Sequence, residues 1–254
     1  MENTACRTDL TAEHGLSLYL EIGQRRILFD AGQSESFIDN AALMGVDLSS
    51  VDTAILSHGH YDHGGGLSRF LSLNSTAPLY LSRYAFGQHF NGSDSYIGLD
   101  PALKESSRLR LTGDREPLGD GMTLFSCNRR NRPHFFPAAG LTRKIGNRFL
   151  TEDFRHEQYL LVEEAGRRIL ISGCSHKGIL NLLHWFHPDV LIGGLHLMKM
   201  EPDSKDLRSI AEDLKKSGTV FYTCHCTGLE QYAYLKSILG NQLHYLSAGT
   251  VMEI

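Results

Sequence analysis

The apolar positions of this chain change period several times. Leu16 to Ile22 alternates in part, and a short apolar run from Arg26 to Phe29 follows the turn signal Gly23-Gln24. That pattern predicts a hairpin of two strands ending at Asp30. Phe37, Ile38, Ala41 and Met44 recur at helical spacing within Ser34 to Met44, and Gly45 stops them. Val51 to Leu56 reads as a buried strand, Leu67 to Leu73 as a helix, and Leu79 to Leu81 as a short strand.

Periodicity weakens between Ser82 and Arg155. This stretch is rich in Gly, Asn, Asp and Arg and holds Pro101, Pro117, Pro133 and Pro137; Met122 to Cys127 is its clearest strand. Long irregular stretches are uncommon in compact domains unless they serve function. Residues 82–155 are therefore expected to form an insertion that covers a site and shapes its pocket.

Order returns with strands at Tyr159 to Glu163 and Arg168 to Ser172 around Glu164-Ala165-Gly166. Ile179 to Phe186 reads as a helix and Val190 to Ile192 as a strand. Asp203 to Ser217 is the cleanest amphipathic helix, with Leu207, Ile210, Ala211 and Leu214 as its stripe and Gly218 as its stop. Val220 to Thr223 (strand), Leu229 to Leu239 (helix), Leu243 to Leu246 and Val251 to Ile254 (strands) complete the chain. The order predicts an α/β fold, with two sheets packed face to face and helices outside, as one domain over 1–254.

Composition narrows the class. Apolar content of 41% and charged content of 21% are ordinary for a globular chain. A net charge of -4 makes no case for nucleic acid as a partner. Five cysteines (Cys6, Cys127, Cys174, Cys224, Cys226) form no disulfide framework. With a start that lacks a signal pattern, they point to a reducing cytoplasm. No apolar run approaches the ~20 residues that span a bilayer. The oligomeric state stays open, a homo-oligomer included.

The chemistry concentrates in Ser57-His58-Gly59-His60-Tyr61-Asp62-His63-Gly64-Gly65-Gly66. His58 and His60 are two apart, so in an extended segment both rings project to one side. Asp62 and His63 follow where the chain turns toward a helix and can face a second ion. Imidazole and carboxylate together suit zinc, with manganese or iron as alternatives.

This segment resembles the metal-binding motif of the metallo-β-lactamase-fold superfamily. The resemblance implies an αββα sandwich of two mixed β-sheets with outer helices, and two divalent metal ions. His58 and His60 would hold the first ion, Asp62 and His63 the second. Further ligands should follow strands in the second half. His176, in Gly173-Cys174-Ser175-His176, would complete the first ion, with His156 as an alternative. His225, in Cys224-His225-Cys226-Thr227-Gly228, would complete the second. Cys174 stands where related chains carry a bridging Asp, and is either a ligand or a packed residue. Cys224 and Cys226 read as packing around His225. Asp30, in Leu28-Phe29-Asp30-Ala31-Gly32, would hold a ligand histidine in place. Asp62 would also take part in catalysis. His196 would act as a general acid or substrate contact, or pack at a strand end.

Taken with Glu13-His14-Gly15-Leu16-Ser17 and Ile192-Gly193-Gly194-Leu195-His196-Leu197, these segments are similar to the branch that includes 7,8-dihydropterin-6-methyl-4-(β-D-ribofuranosyl)aminobenzene-5′-phosphate synthase. The expected activity is hydrolysis of an ester or phosphate-containing small molecule, with two ions lowering the pKa of a shared water and polarising the substrate. His14, Arg129 and Arg130 would contact the substrate, with Arg132 nearby in sequence. The competing reading is a synthase-like transferase that releases diphosphate from a dihydropterin. A non-enzymatic metal-binding protein and di-iron redox chemistry are further alternatives.

Overall fold

The computed structural model describes residues 1–254. It forms two compact units. The first comprises Met1–Gly113, Gly140–Gln158 and Ser247–Ile254; the second comprises Asp114–Ala139 and Tyr159–Leu246.

The first unit opens with β1 (Leu18–Ile22), β2 (Arg25–Phe29), α1 (Ser36–Leu43), β3 (Thr53–Ile55), α2 (Tyr61–Gly64) and α3 (Leu67–Leu73). β4 (Leu79–Ser82), β5 (His89–Asn91), β6 (Ser95–Tyr96) and β7 (Leu109–Thr112) follow. Its main sheet has the order β1-β2-β3-β4-β7. β1 is antiparallel to β2, and β2, β3, β4 and β7 run parallel. Leu28, Ala54, Leu79 and Leu81 share a core with Phe37, Leu67 and Phe70. Ile27, Phe29 and Ile55, of opposite parity, are fully buried too. Alternate side chains of a strand point to opposite faces, so both faces are covered and the strands read as continuous apolar runs.

Asn74 closes α3 and ties down the loop that leads into β3. Its Nδ2 donates to the carbonyls of Leu48, Ser49 and Val51, and its Oδ1 accepts from Thr76 N and Ala77 N.

The second unit starts with β8 (Arg115–Gly119) and β9 (Met122–Phe125). The chain then returns to the first unit as β10 (Leu141–Ile145) and β11 (Arg148–Thr151), which join β5 and β6 in an antiparallel sheet of order β11-β10-β5-β6. β12 (Tyr159–Glu164), β13 (Arg167–Ser172), α4 (Ile179–Phe186), β14 (Val190–Gly193), α5 (Lys205–Lys216), β15 (Val220–Thr223), α6 (Leu229–Leu239) and β16 (Leu243–Tyr245) complete the second unit. Its sheet has the order β16-β15-β14-β13-β12-β9-β8. β13 to β16 run parallel, and β12, β9 and β8 alternate in direction. α5 buries Leu207, Ile210, Ala211 and Leu214 against Leu191, Phe221 and Leu235. The Ser204 hydroxyl accepts from Leu207 N at 3.2 Å and caps the helix.

Two expectations differ from this architecture. Val251 to Ile254 is not a strand: Ala248 makes a single bridge with Ala5, and the apolar residues beyond it stay exposed, Val251 at 82%. Apolar composition forms a strand only where a ladder partner exists. Within 82–155, strands β5 to β11 appear where the pattern singled out only Met122 to Cys127. β6 and β11 are exposed along their whole length, so no alternation marks them.

Candidate metal centre

In the first unit, β3 delivers the chain to Ser57, and His58 to His60 lead into α2. His60 sits at the N-cap of α2 in extended conformation, and Asp62 and His63 lie in its only turn. All four candidate ligands are buried: His58, His60, Asp62 and His63. The His58 ring centroid lies 4.5 Å from that of His60 and 4.1 Å from that of His63. Asp62 Oδ2 is 3.8 Å from His63 Nε2 and 3.3 Å from Nε2 of the half-exposed His14.

Asp30 organises this group from the end of β2. It has φ 61°, a left-handed conformation uncommon for a residue other than glycine. Its Oδ1 accepts from Ser57 N at 2.7 Å, and its Oδ2 accepts from Ser57 Oγ at 2.7 Å. The same Oδ2 lies 2.6 Å from His63 Nδ1. A carboxylate is an acceptor, so it selects the tautomer with the proton on Nδ1 and leaves the Nε2 lone pair for a metal. The Ser57 hydroxyl spends its hydrogen on Asp30 and therefore accepts from His58 Nδ1, 2.8 Å away. His58 is thus also left with its lone pair on Nε2. One buried carboxylate fixes two imidazoles in the state that a divalent ion requires.

Gly59 separates the first two histidines. A Cβ there would run into the carbonyl oxygen of Ala85. Its amide donates to His156 Nδ1 at 2.9 Å, so His156, the alternative ligand of the sequence reading, supports the turn backbone.

In the second unit the candidate residues follow three adjacent parallel strands. Cys174 and His176 follow β13, His196 follows β14, and His225 follows β15. The carboxyl ends of such strands are the common place for ligands in parallel sheets. Ser175, His196 and His225 all have positive φ, at 60°, 53° and 49°. Strained backbone of this kind clusters at functional sites. The ligand atoms of Cys174, His176 and His196 lie within 4.8 Å of one another, as do those of Cys174, His225 and Cys226. The His176 and His196 ring centroids are 4.2 Å apart. Cys226, read from sequence as packing, is therefore one of this group. Burial pushes its thiol up, but hydrogen bonding with Cys174 and His196 and the charge of His225 hold it well below its ordinary value.

Arg129 and Arg130 also belong to the second unit. Arg129 and Arg130 are exposed. Arg130 donates to the Trp185 carbonyl at 3.0 Å, and its guanidinium lies over Phe125 and Phe186 at 5.4 and 5.1 Å. Sequence reasoning missed the buried pair His89 and Glu152, because neither stands in a motif or at the end of a visible strand.

The family model described as the metallo-beta-lactamase superfamily matches residues 10–194. The 7,8-dihydropterin-6-methyl-4-(beta-D-ribofuranosyl)-aminobenzene-5′-phosphate synthase of Methanocaldococcus jannaschii is 28% identical, over 95% of this chain and 90% of its own. The crystal structure of a metal-dependent hydrolase of the beta-lactamase superfamily matches with a TM-score of 0.84 and 27% identity, covering 100% of this chain and 96% of that one. The metallo-beta-lactamase fold protein YhfI from Bacillus subtilis matches with a TM-score of 0.59 at 14% identity over 99% of this chain and 97% of its own, a likeness of fold. The histidine run, the mixed sheets with their helices, and the family match over most of the chain agree: this protein belongs to the metallo-β-lactamase superfamily and has its fold.

Proposed function

We propose that this chain is a binuclear metal-dependent hydrolase acting on an ester or phosphate-containing small molecule. The observation that supports it best is the Asp30 relay, which leaves both His58 and His63 with an Nε2 lone pair in a buried turn beside Asp62. A neutral imidazole and carboxylate set of this kind fits a divalent ion of the zinc class. The ligands in this proposal are His58, His60, Asp62 and His63 of the first unit and His176 and His225 of the second, with Cys174 as a further thiolate donor. Bound ions of this class supply Lewis acidity and an activated water. The chain's own groups would do the rest. Asp62 accepts a proton during attack. His14, within 3.3 Å of the Asp62 carboxylate, orients that group or the substrate. His196 donates a proton to the leaving group. In this reading the chain works as one catalytic domain whose 82–155 stretch shapes substrate access.

A second reading has its own support. The relative that is 28% identical over 95% of this chain is named as a synthase. On that reading an aryl nucleophile replaces water, and diphosphate leaves a dihydropterin. Mass spectrometry of products separates the two. Metal-replete protein would be offered hydroxymethyl-dihydropterin diphosphate together with ribofuranosylaminobenzene phosphate. A joined pterin–aryl product with free diphosphate establishes the transferase. Both compounds returned uncoupled, with turnover of simple esters or phosphates, establishes the hydrolase. No turnover of either class by protein that binds metal would leave neither reading standing.

A further inference from the structure

The pairing of a buried carboxylate with a histidine Nδ1 occurs twice in the first unit. One copy is Asp30 with His63. The other is Glu152 with His89, where Oε2 lies 2.7 Å from Nδ1. His89 opens β5 and Glu152 follows β11. Both side chains are buried, with residue exposures of 3% and 4%. Glu152 is itself fixed, because its Oε1 accepts from Asp153 N at 3.0 Å and Phe154 N at 3.2 Å. A carboxylate held in this way stays an acceptor, so the proton of His89 sits on Nδ1 and the lone pair on Nε2. That Nε2 is buried and has no hydrogen-bond partner. Buried polar atoms are normally satisfied, and an orphan calls for an explanation such as an ion.

His89 lies close to a histidine of the motif. The ligand atoms of His60, His89 and His156 lie within 4.8 Å of one another. His156 packs its ring on His89 with centroids 3.9 Å apart. It is not the acceptor-type ligand of this trio, because its Nδ1 lone pair takes the Gly59 amide and its proton is then on Nε2. His60 and His89 remain. We propose that His89 is a metal ligand outside the histidine motif, sharing an ion with His60 and held in its binding tautomer by Glu152. Carboxylate–histidine–metal triads are the usual arrangement around bound ions, and the Asp30–His63 pair is its counterpart in the same unit. This inference rests on the reading of His60 as a metal ligand.

The test uses full-length protein loaded with zinc or cobalt. In an anomalous difference map of wild-type crystals, an ion at bonding distance, roughly 2.0–2.1 Å, from His89 Nε2 supports the proposal. An ion on His60 that leaves His89 Nε2 out of reach overturns it. In solution, His89→Gln should lower the affinity for one ion, and Glu152→Gln should do so by about 10- to 100-fold, as outer partners of ligands do. The cobalt absorption spectrum should change in both. Unchanged affinity and spectrum in folded variants would show a structural ion pair and sink the assignment of His89, while leaving the motif ligands intact. Wild-type protein that binds no ion would remove both this proposal and the metal-dependent reading beneath it.

Discussion

Asp30 Oδ2 lies 2.6 Å from His63 Nδ1 and 2.7 Å from Ser57 Oγ, so one oxygen atom sets the protonation of two histidines. Asp30→Asn places an amide that can donate where His63 and Ser57 both need an acceptor. The imidazoles would have to change tautomer or lose their partner. Metal affinity is expected to fall by about 10- to 100-fold, the usual effect of removing such a partner. Competition against a chromophoric chelator measures it. Affinity equal to wild type would confine Asp30 to bracing the turn.

His58→Ala and His225→Ala should each reduce bound metal while leaving the fold largely intact. Each residue belongs to a different unit and follows a strand, outside the apolar clusters that form the two cores. Elemental analysis of the purified variants, with circular dichroism as the folding check, gives the answer. If both variants still carry two ions per chain, the ligand assignment is wrong.

Removing metal should also lower thermal stability. An ion that binds only the folded chain stabilises it by mass action, about 4 kcal/mol at a thousandfold excess over its dissociation constant. Exhaustive chelation should therefore lower the melting temperature by several degrees, and added zinc should restore it. A melting curve indifferent to chelator and zinc would argue against tight binding to the native state.

The strands and helices that carry the centre were legible because their physics is local. α4 and α6 have the predicted bounds, Ile179–Phe186 and Leu229–Leu239, since helical spacing and terminal Pro or Gly are written in the sequence. Asp30 was legible as a supporting residue from its place in Leu28-Phe29-Asp30-Ala31-Gly32. Glu152 and His89 were not. They are 63 residues apart in sequence and meet only because β10 pairs with both β5 and β11. Those strands are short, β11 is exposed throughout and β5 and β10 are mostly half-buried, so neither clean alternation nor length announces them. Cys226 is buried, as a packing residue should be, and its closeness to Cys174, from the neighbourhood of another strand, is a tertiary relation that spacing along the chain does not carry.

Asn74 offers a test of the first unit that does not depend on metal. Fully buried, it spends its amide on three carbonyls and its oxygen on two amides. Asn74→Ala leaves the buried Leu48 and Val51 carbonyls and the buried Ala77 amide short of a partner. The expected loss is about 2–4 kcal/mol, from the cost of leaving buried backbone groups unsatisfied. Urea unfolding reads it directly, and a loss under half a kcal/mol would mean that the loop rearranges to satisfy itself, a threshold of roughly the ordinary surface-mutation range.

Gly59→Ala separates crowding from backbone freedom. At Gly45, where φ is 73° and nothing lies near the missing Cβ, alanine should cost only about 1 kcal/mol for the left-handed conformation. Gly59 has no positive φ, but its Cβ would strike the Ala85 carbonyl oxygen, a backbone atom that cannot rotate away. The turn between His58 and His60 must then move. Overpacking of this kind costs about 1–3 kcal/mol, and the displacement should also weaken the Gly59–His156 hydrogen bond and misplace both ligand rings. The expected signature is a joint fall in melting temperature and metal affinity for Gly59→Ala, against a fall in melting temperature alone for Gly45→Ala. If Gly59→Ala lost stability but held metal as tightly as wild type, the turn would not be what aims the two histidines.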